Sequence, residues 1–190
     1  MNPFARSETL VEVALAAADP SAETLTVLDV GTGSGAILLA LLDELPHARG
    51  IGTDLAPGAV RTARTNAARL DLSARAAFAV MNWADALVGE VDLMVANPPY
   101  IPTAVIDTLS PEVRLHDPRL ALDGGRDGLD GHRHVVSAMA RLLGLRGRGI
   151  VEIGVGQAGD VVGLGAKVGL VGRAFDDLAG IPRVVEFRRA

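Results

Sequence analysis

The stretch Leu25-Thr26-Val27-Leu28-Asp29-Val30-Gly31-Thr32-Gly33-Ser34-Gly35 holds the architectural signal of this chain. An aliphatic and β-branched run stops at alternating glycines, and residues 36–45 then read as an apolar helix. That is a buried strand, a tight turn and the helix the turn opens. The unit recurs downstream. Residues 49–53 read as a second strand, 57–70 as the helix after it and 76–81 as a third strand. Each crossover is long enough to join parallel neighbours. Residues 91–96 form a fourth strand that ends at Asn97-Pro98-Pro99-Tyr100, because consecutive prolines cannot continue a central ladder.

Farther from this centre, residues 7–18 carry a broad helical stripe of apolar side chains. A stretch from 101 to about 131, punctuated by Pro and Gly, is too long for an ordinary connector and is expected to be a substrate-side loop. Residues 132–145 restore a helix, 149–154 a fifth strand and 160–171 a glycine-weakened helix. Residues 174–178 and 183–188 are expected to be a terminal pair of strands. The alternation predicts an α/β chain with an open, doubly wound, mostly parallel sheet and an antiparallel C-terminal strand. In such sheets ligands sit beyond the carboxyl ends of the strands.

At 190 residues, 49% of them apolar and 22% charged, the chain is expected to make one domain over 1–190, with 1–22 as an N-terminal helix and lid. Its 23 acidic against 18 basic residues and its six aromatics weigh against a protein that holds nucleic acid by phosphate neutralisation or base stacking. With no cysteine, thiolate metal sites and Cys nucleophiles are excluded. No signal peptide or membrane-spanning stretch is visible, so the expectation is a soluble cytoplasmic protein.

The unusual residues fall at predicted strand ends. Gly31, Gly33 and Gly35, with Thr32 between them, let backbone turn sharply and approach a ligand closely. Asp29, just before the turn, would repel a diphosphate but pairs with a cationic ligand such as the amino group or sulfonium of S-adenosylmethionine. Asp54 ends the second strand, where its oxygens can accept both hydroxyls of a ribose or can cap the helix at Pro57; Leu55 follows it in the same cofactor set. Asn82 and Trp83, after the third strand, are placed to bond and pack against an adenine, with core packing the alternative for Trp83.

Asn97-Pro98-Pro99-Tyr100 points to chemistry on a planar NH2 group, a poor nucleophile whose lone pair is delocalised. The Asn97 side-chain oxygen can accept one N–H and the Pro98 carbonyl the other. Pro99 stiffens the turn and Tyr100 can lie against the flat amide or base. No general base stands out. His132 and His134 open a predicted helix, so no metal site is expected from them. Glu152 reads either as a buried strand-end acid or as part of the site floor. Arg114, Arg119, Arg126, Arg133 and Arg141 form a loose basic run that faces either solvent or a partner.

The glycine turn, Asp54 and Asn82 together resemble the class I S-adenosylmethionine-dependent methyltransferases, whose Rossmann-like fold the resemblance implies over nearly the whole chain. Asn97-Pro98-Pro99-Tyr100-Ile101-Pro102, Pro111-Glu112-Val113-Arg114, Pro118 to Gly125, Asp127-Gly128-Leu129-Asp130 and Glu152-Ile153-Gly154 with Gln157 look like the release factor glutamine N5-methyltransferase family. Asp177-Leu178-Ala179-Gly180 and Arg183-Val184-Val185 fit as well. That resemblance implies methylation of the glutamine in the Gly-Gly-Gln motif of a class I peptide-chain release factor, with S-adenosylmethionine as cofactor. The family's entry motif is matched at Arg6, Glu8 and Thr9 but lacks both prolines and the last Glu, so Phe4 and Arg6 read either as closing over the active site or as an exposed Phe and a helix-entry Arg. The chain starts almost at the catalytic domain, whereas such proteins carry a helical N-terminal domain that grips the release factor; this leaves the substrate open and with it a partner subunit that replaces that domain. The alternatives left open are an adenine or other nucleic-acid amine methyltransferase and a cofactor-binding subunit that needs a partner for recognition.

Overall fold

In a computed structural model that describes residues 7–19, 21–109 and 118–190, the chain begins with α1 (Ser7–Ala17), β1 (Leu25–Val30), α2 (Ala36–Glu44) and β2 (Ala48–Asp54). Next come α3 (Pro57–Arg69), β3 (Ala76–Val80), β4 (Val91–Ala96) and two short helices, α4 (Thr103–Ile106) and α5 (Arg119–Leu122). The C-terminal part is α6 (Asp130–Leu142), β5 (Leu143–Glu152), α7 (Ala158–Ala166), β6 (Leu170–Asp176) and β7 (Pro182–Arg189). The strands form one seven-stranded sheet in the order β3-β2-β1-β4-β5-β7-β6. Pairings among β1 to β5 are parallel, while β7 runs antiparallel to both β5 and β6.

Strand periodicity explains why the first and fourth strands are apolar on both faces outside Thr26, Asp29 and Asp92. Successive side chains point to opposite faces, and here both faces are covered. Leu28 and Val30 of β1, with Met94 and Ala96 of β4, pack into a cluster with Val135 and Met139 of α6. Val27, Leu93 and Val95 point the other way, into a cluster with Leu38, Leu41 and Leu42 of α2 and with Leu10 and Ala14 of α1. A strand buried on both sides loses the usual apolar-polar alternation. The C-terminal end of α2 is closed by Arg75, whose guanidinium donates to the carbonyls of Leu42, Leu45 and Ala48 at 2.7, 3.0 and 3.0 Å. Those include carbonyls that a helix end cannot satisfy internally.

Three boundaries differ from the sequence pattern. The helix expected over 132–145 ends at Leu142, because Leu143 pairs with Val91 and starts β5. The helix expected over 160–171 stops at Ala166, since Leu170 and Val171 pair with Arg189 and Arg188 in β6. That strand ends at Asp176, so Asp177 and Leu178 belong to the turn before β7 rather than to a strand over 174–178. In the first two cases pairing with another strand overrides helical periodicity. The stretch expected to be a loop is also partly built. Ile101 forms a parallel bridge with Asp123, and the Thr103 hydroxyl donates to Asp123 at 2.6 Å.

The antiparallel end of the sheet depends on Phe187, fully buried between α7 and β6, where a Cβ on Gly172 would come within 2.8 Å of its ring. Phe187→Ala is expected to lower the unfolding free energy by about 3–5 kcal/mol, measured as a reduced urea midpoint with an unchanged slope.

Candidate functional site

Register brings the carboxyl ends of three strands to one level. Val30 of β1 pairs with Thr53 on one side and with Ala96 on the other, so Asp29, Asp54 and Asn97 end neighbouring strands that lie roughly 4.8 Å apart. Because β1 is followed by β2 on one side while β4 lies on the other, a crevice opens there, the usual ligand position in doubly wound sheets.

The glycine turn is held mainly by bonds to β2 and the residues after it. Gly31 and Thr32 both donate their amides to the Thr53 carbonyl, at 2.8 and 2.9 Å. Asp54 accepts the Gly33 N–H at 2.9 Å on one oxygen and the Ala56 N–H at 2.8 Å on the other. Gly31 and Gly33 have φ of +75° and +56°, the left-handed region that favours glycine, and a Cβ at either would meet nothing within 4 Å. Glycine is therefore needed there for conformation, and the space beyond is open to a ligand. Asp54 serves both readings of the sequence. It holds the entry to α3, and each oxygen keeps a second lone pair that can accept a ribose hydroxyl.

Asp29 is buried, and its Oδ2 accepts the Thr32 hydroxyl at 2.6 Å. Its Oδ1 has no hydrogen-bond partner among the described residues. Burial raises the Asp29 pKa to about 6, against the lowering effect of the Thr32 hydroxyl and the Leu38 amide. A buried carboxylate with an orphaned oxygen is costly unless a cation or donor meets it. That oxygen, the open space at Gly31 and Gly33 and the exposed side chain of Leu55 fit a ligand with a cationic amino-acid portion, a ribose and a flat base, as in S-adenosylmethionine.

The third strand end is more committed internally. Asn82 donates its amide to Asp85 at 2.7 Å and is exposed. Trp83, with φ +49°, accepts the Thr53 hydroxyl on its carbonyl at 2.7 Å, and its ring stacks on His134 at 5.3 Å between centroids. The Trp83 ring also packs against the core beside α6.

At the end of β4 the Asn97 side chain is half-buried and makes no hydrogen bond to another described residue. No described amide donates to the Pro98 carbonyl. Tyr100 is held at both ends: its hydroxyl donates to buried Glu152 at 3.4 Å, and its carbonyl accepts Nε2–H of Gln157 at 3.1 Å. The Glu152 carbonyl accepts from His132 Nε2 at 2.9 Å, and burial pushes the His132 pKa down, so the ring is neutral with its proton on Nε2. His132 therefore pins α6 to β5. Glu152 is a buried acid at the end of β5, and its contact with the Tyr100 hydroxyl places it beside the Asn97–Tyr100 turn. Gln157 entered the sequence reading only as part of a resemblance. The signal available was its place three residues after Gly154, just past the end of β5.

Phe4, Arg6 and Pro111 to Arg114 lie outside the described residues. The remaining arginines of the basic run, Arg126 apart, are engaged within the chain. Arg119 pairs with Asp123 at 3.5 Å, Arg133 with Asp130 at 2.6 Å, and Arg141 donates to the Ala84 carbonyl at 2.8 Å. Arg133 also pulls the Asp127 pKa down to about 2.

A family model described as methyltransferase small domain matches residues 7–110. A release factor glutamine methyltransferase of Rhodospirillum rubrum is 50% identical over 190 residues, 100% of this chain and 58% of that protein. The protein of the same name from Bradyrhizobium diazoefficiens is 48% identical over 98% of this chain and 64% of its own length. The chain thus spans about three fifths of the length of these relatives. Among solved structures, the ribosomal protein L11 methylase of Lactobacillus delbrueckii subsp. bulgaricus superposes with a TM-score of 0.68 at 19% identity, over 96% of this chain and 78% of that one. That likeness is one of fold.

The raised Asp29 pKa makes a signed prediction for the ligand-free protein. Its folded value of about 6 lies above the unfolded 3.8, so its contribution is fully present below the unfolded value and is lost as pH rises through the folded one. The stability difference between the natural chain and Asp29→Asn should therefore shift against the natural chain by about 2 kcal/mol from pH 4.5 to pH 8. Urea denaturation of both proteins across that range measures it, and a pH-independent difference would contradict it.

Proposed function

This chain belongs to the methyltransferase small domain family, and we propose that it transfers a methyl group from S-adenosylmethionine to the side-chain amide nitrogen of a protein glutamine. The acceptor in this reading is the Gly-Gly-Gln glutamine of a class I peptide-chain release factor, in line with the name carried by its relatives. One observation carries the reading: an uncommitted Asn97 amide and Pro98 carbonyl stand at the end of β4, one strand away from the orphaned oxygen of Asp29.

The residues divide the work. Asp29, Gly31, Thr32, Gly33, Gly35, Asp54 and Leu55 hold the cofactor, with Asn82 and Trp83 on the adenine side. When bound, S-adenosylmethionine supplies an electrophilic methyl on a sulfonium. The chain's task is to present a nitrogen whose lone pair is spread into a carbonyl. Asn97 Oδ1 and the Pro98 carbonyl each accept one N–H, which fixes the direction of the nitrogen and favours the positive charge that develops on it as the new bond forms. Neither Pro98 nor Pro99 has an N–H to compete for those acceptors, and their rings restrict the turn. Tyr100, tethered at both ends, supplies the flat wall.

In this reading residues 1–190 work as one domain, with α1 near its start, and the stretch 101–131 faces the substrate; the lid expected within 1–22 falls partly outside the described residues. The setting is the cytoplasm, where release factors act. No helix among the described residues is long and apolar enough to cross a membrane.

The test is transfer of labelled methyl from S-adenosylmethionine to a purified class I release factor, beside a Gln→Ala variant of its Gly-Gly-Gln motif and a total RNA pool. Label on the release factor that vanishes in the variant is the expected result. Label in RNA instead would select a nucleic-acid amine as acceptor. Asn97→Ala is expected to lower turnover by about 10²–10³-fold while cofactor affinity, measured by calorimetry, stays within about threefold. Retained turnover in that variant would overturn the role of Asn97.

A further inference from the structure

The Asn97–Tyr100 turn is short of internal support. Prolines at 98 and 99 remove two consecutive N–H donors, so this backbone cannot anchor itself by the usual ladder. Its first hydrogen-bonded carbonyl past the prolines is that of Tyr100, which accepts Nε2–H of Gln157 at 3.1 Å. The second Nε2–H of Gln157 goes to the Gly128 carbonyl, also at 3.1 Å, and its Oε1 accepts the Gly154 N–H at 2.8 Å. The orientation of the amide is forced, because its NH2 faces two carbonyls and its oxygen faces an amide N–H. One side chain thus joins the exit of β4, the loop before α6 and the exit of β5.

Packing around this amide leaves no slack. Gly128 has φ +76°, and a Cβ there would lie 2.5 Å from the Tyr100 carbonyl oxygen and 2.8 Å from Gln157 Nε2. A Cβ on Gly154 would lie 2.9 Å from Gln157 Oε1 and 3.1 Å from the Tyr100 ring. Two backbone segments without side chains close on the Gln157 amide from either side. Beyond Tyr100, Ile101 donates to the Leu122 carbonyl at 3.1 Å and Thr103 to the Gly125 carbonyl at 2.9 Å, so the tether continues into the folded substrate-side segment.

We infer that Gln157 is a positioning residue, which through the Tyr100 carbonyl sets the placement of the Asn97 side chain and Pro98 carbonyl that receive the acceptor amide. The inference rests on the methyl-transfer reading above. Gln157 touches neither acceptor nor cofactor in this account. Misplacement of an acceptor by about 1 Å can cost on the order of 100-fold in rate, so its loss shows in turnover rather than in cofactor binding.

Gln157→Ala and the near-isosteric Gln157→Glu, which keeps an acceptor for Gly154 but turns a carboxylate toward two carbonyls, provide the test. Both should lower kcat by about 10- to 100-fold, with cofactor affinity within about threefold of the natural protein. The loss in Gln157→Glu, taken relative to the natural protein, should shrink as pH falls and a protonated carboxyl regains one donor. Independently of any acceptor, hydrogen exchange of the Ile101 and Thr103 amides, which donate to Leu122 and Gly125, should quicken at least about 10-fold in Gln157→Ala, with exchange in β1 and β2 unchanged. Unchanged kcat with a lowered Tm would make Gln157 merely structural and overturn the inference. Unchanged exchange at Ile101 and Thr103 would overturn it even if no acceptor were found. Absence of turnover in the natural protein, with faster exchange in the variant, would instead count against the methyl-transfer reading and leave the tether standing.

Discussion

The Asp54 carboxylate accepts the Gly33 amide on one oxygen and the Ala56 amide on the other, and the rest of the crevice is arranged around that pair of bonds. Gly33 lies in a turn whose left-handed dihedrals give it no regular backbone partner of its own. Asp54, at the end of the neighbouring strand, supplies one. The same carboxylate sets the start of α3, and Asn66 of that helix donates back to the Ser34 carbonyl at 2.9 Å. Turn, strand end and helix are thereby mutually fixed, and the open space over Gly31 and Gly33 is bounded by groups that cannot drift independently.

Within that frame the polar groups fall into two kinds. Thr32, Thr53, His132 and Gln157 have hydrogen-bond partners inside the protein, and they hold backbone segments together. Asp29 Oδ1 and the Asn97 amide lack such partners among the described residues. A buried oxygen left unsatisfied costs stability, commonly about 1–3 kcal/mol, and groups of that kind are retained where a ligand completes them. Their positions on adjacent strands, one before the glycine turn and one before the prolines, match a cationic donor on one side and an amide acceptor on the other.

Much of this was legible along the chain. The run from Leu25 to Val30 is apolar on both faces apart from Thr26 and Asp29 because α2 and α6 cover it from opposite sides, and such runs with glycine turns mark a doubly wound sheet. The carboxylates and the Asn-Pro-Pro-Tyr turn were visible because polar or ring-constrained residues at the ends of apolar strands stand out. Boundaries were less legible. Residues 143–145 and 170–171 carry apolar side chains that suit either a helix or a strand, and the pairing of Leu143 with Val91 and of Leu170 with Arg189 depends on segments tens of residues away.

Residue types and their spacing along this chain were sufficient for the order of elements, the strand ends that carry chemistry and the class of group each can bind, since those follow from periodicity and local backbone preference. The partners of each polar group came only with the folded chain. Trp83 stacks on His134, Arg133 is spent on two aspartates, and Gln157 reaches the Tyr100 carbonyl across 57 residues. Hydrogen bonding is short in range and directional, so a side chain's partner depends on which backbone the fold brings within about 3 Å of it, and for contacts this distant in sequence that is set by the packing of the whole sheet.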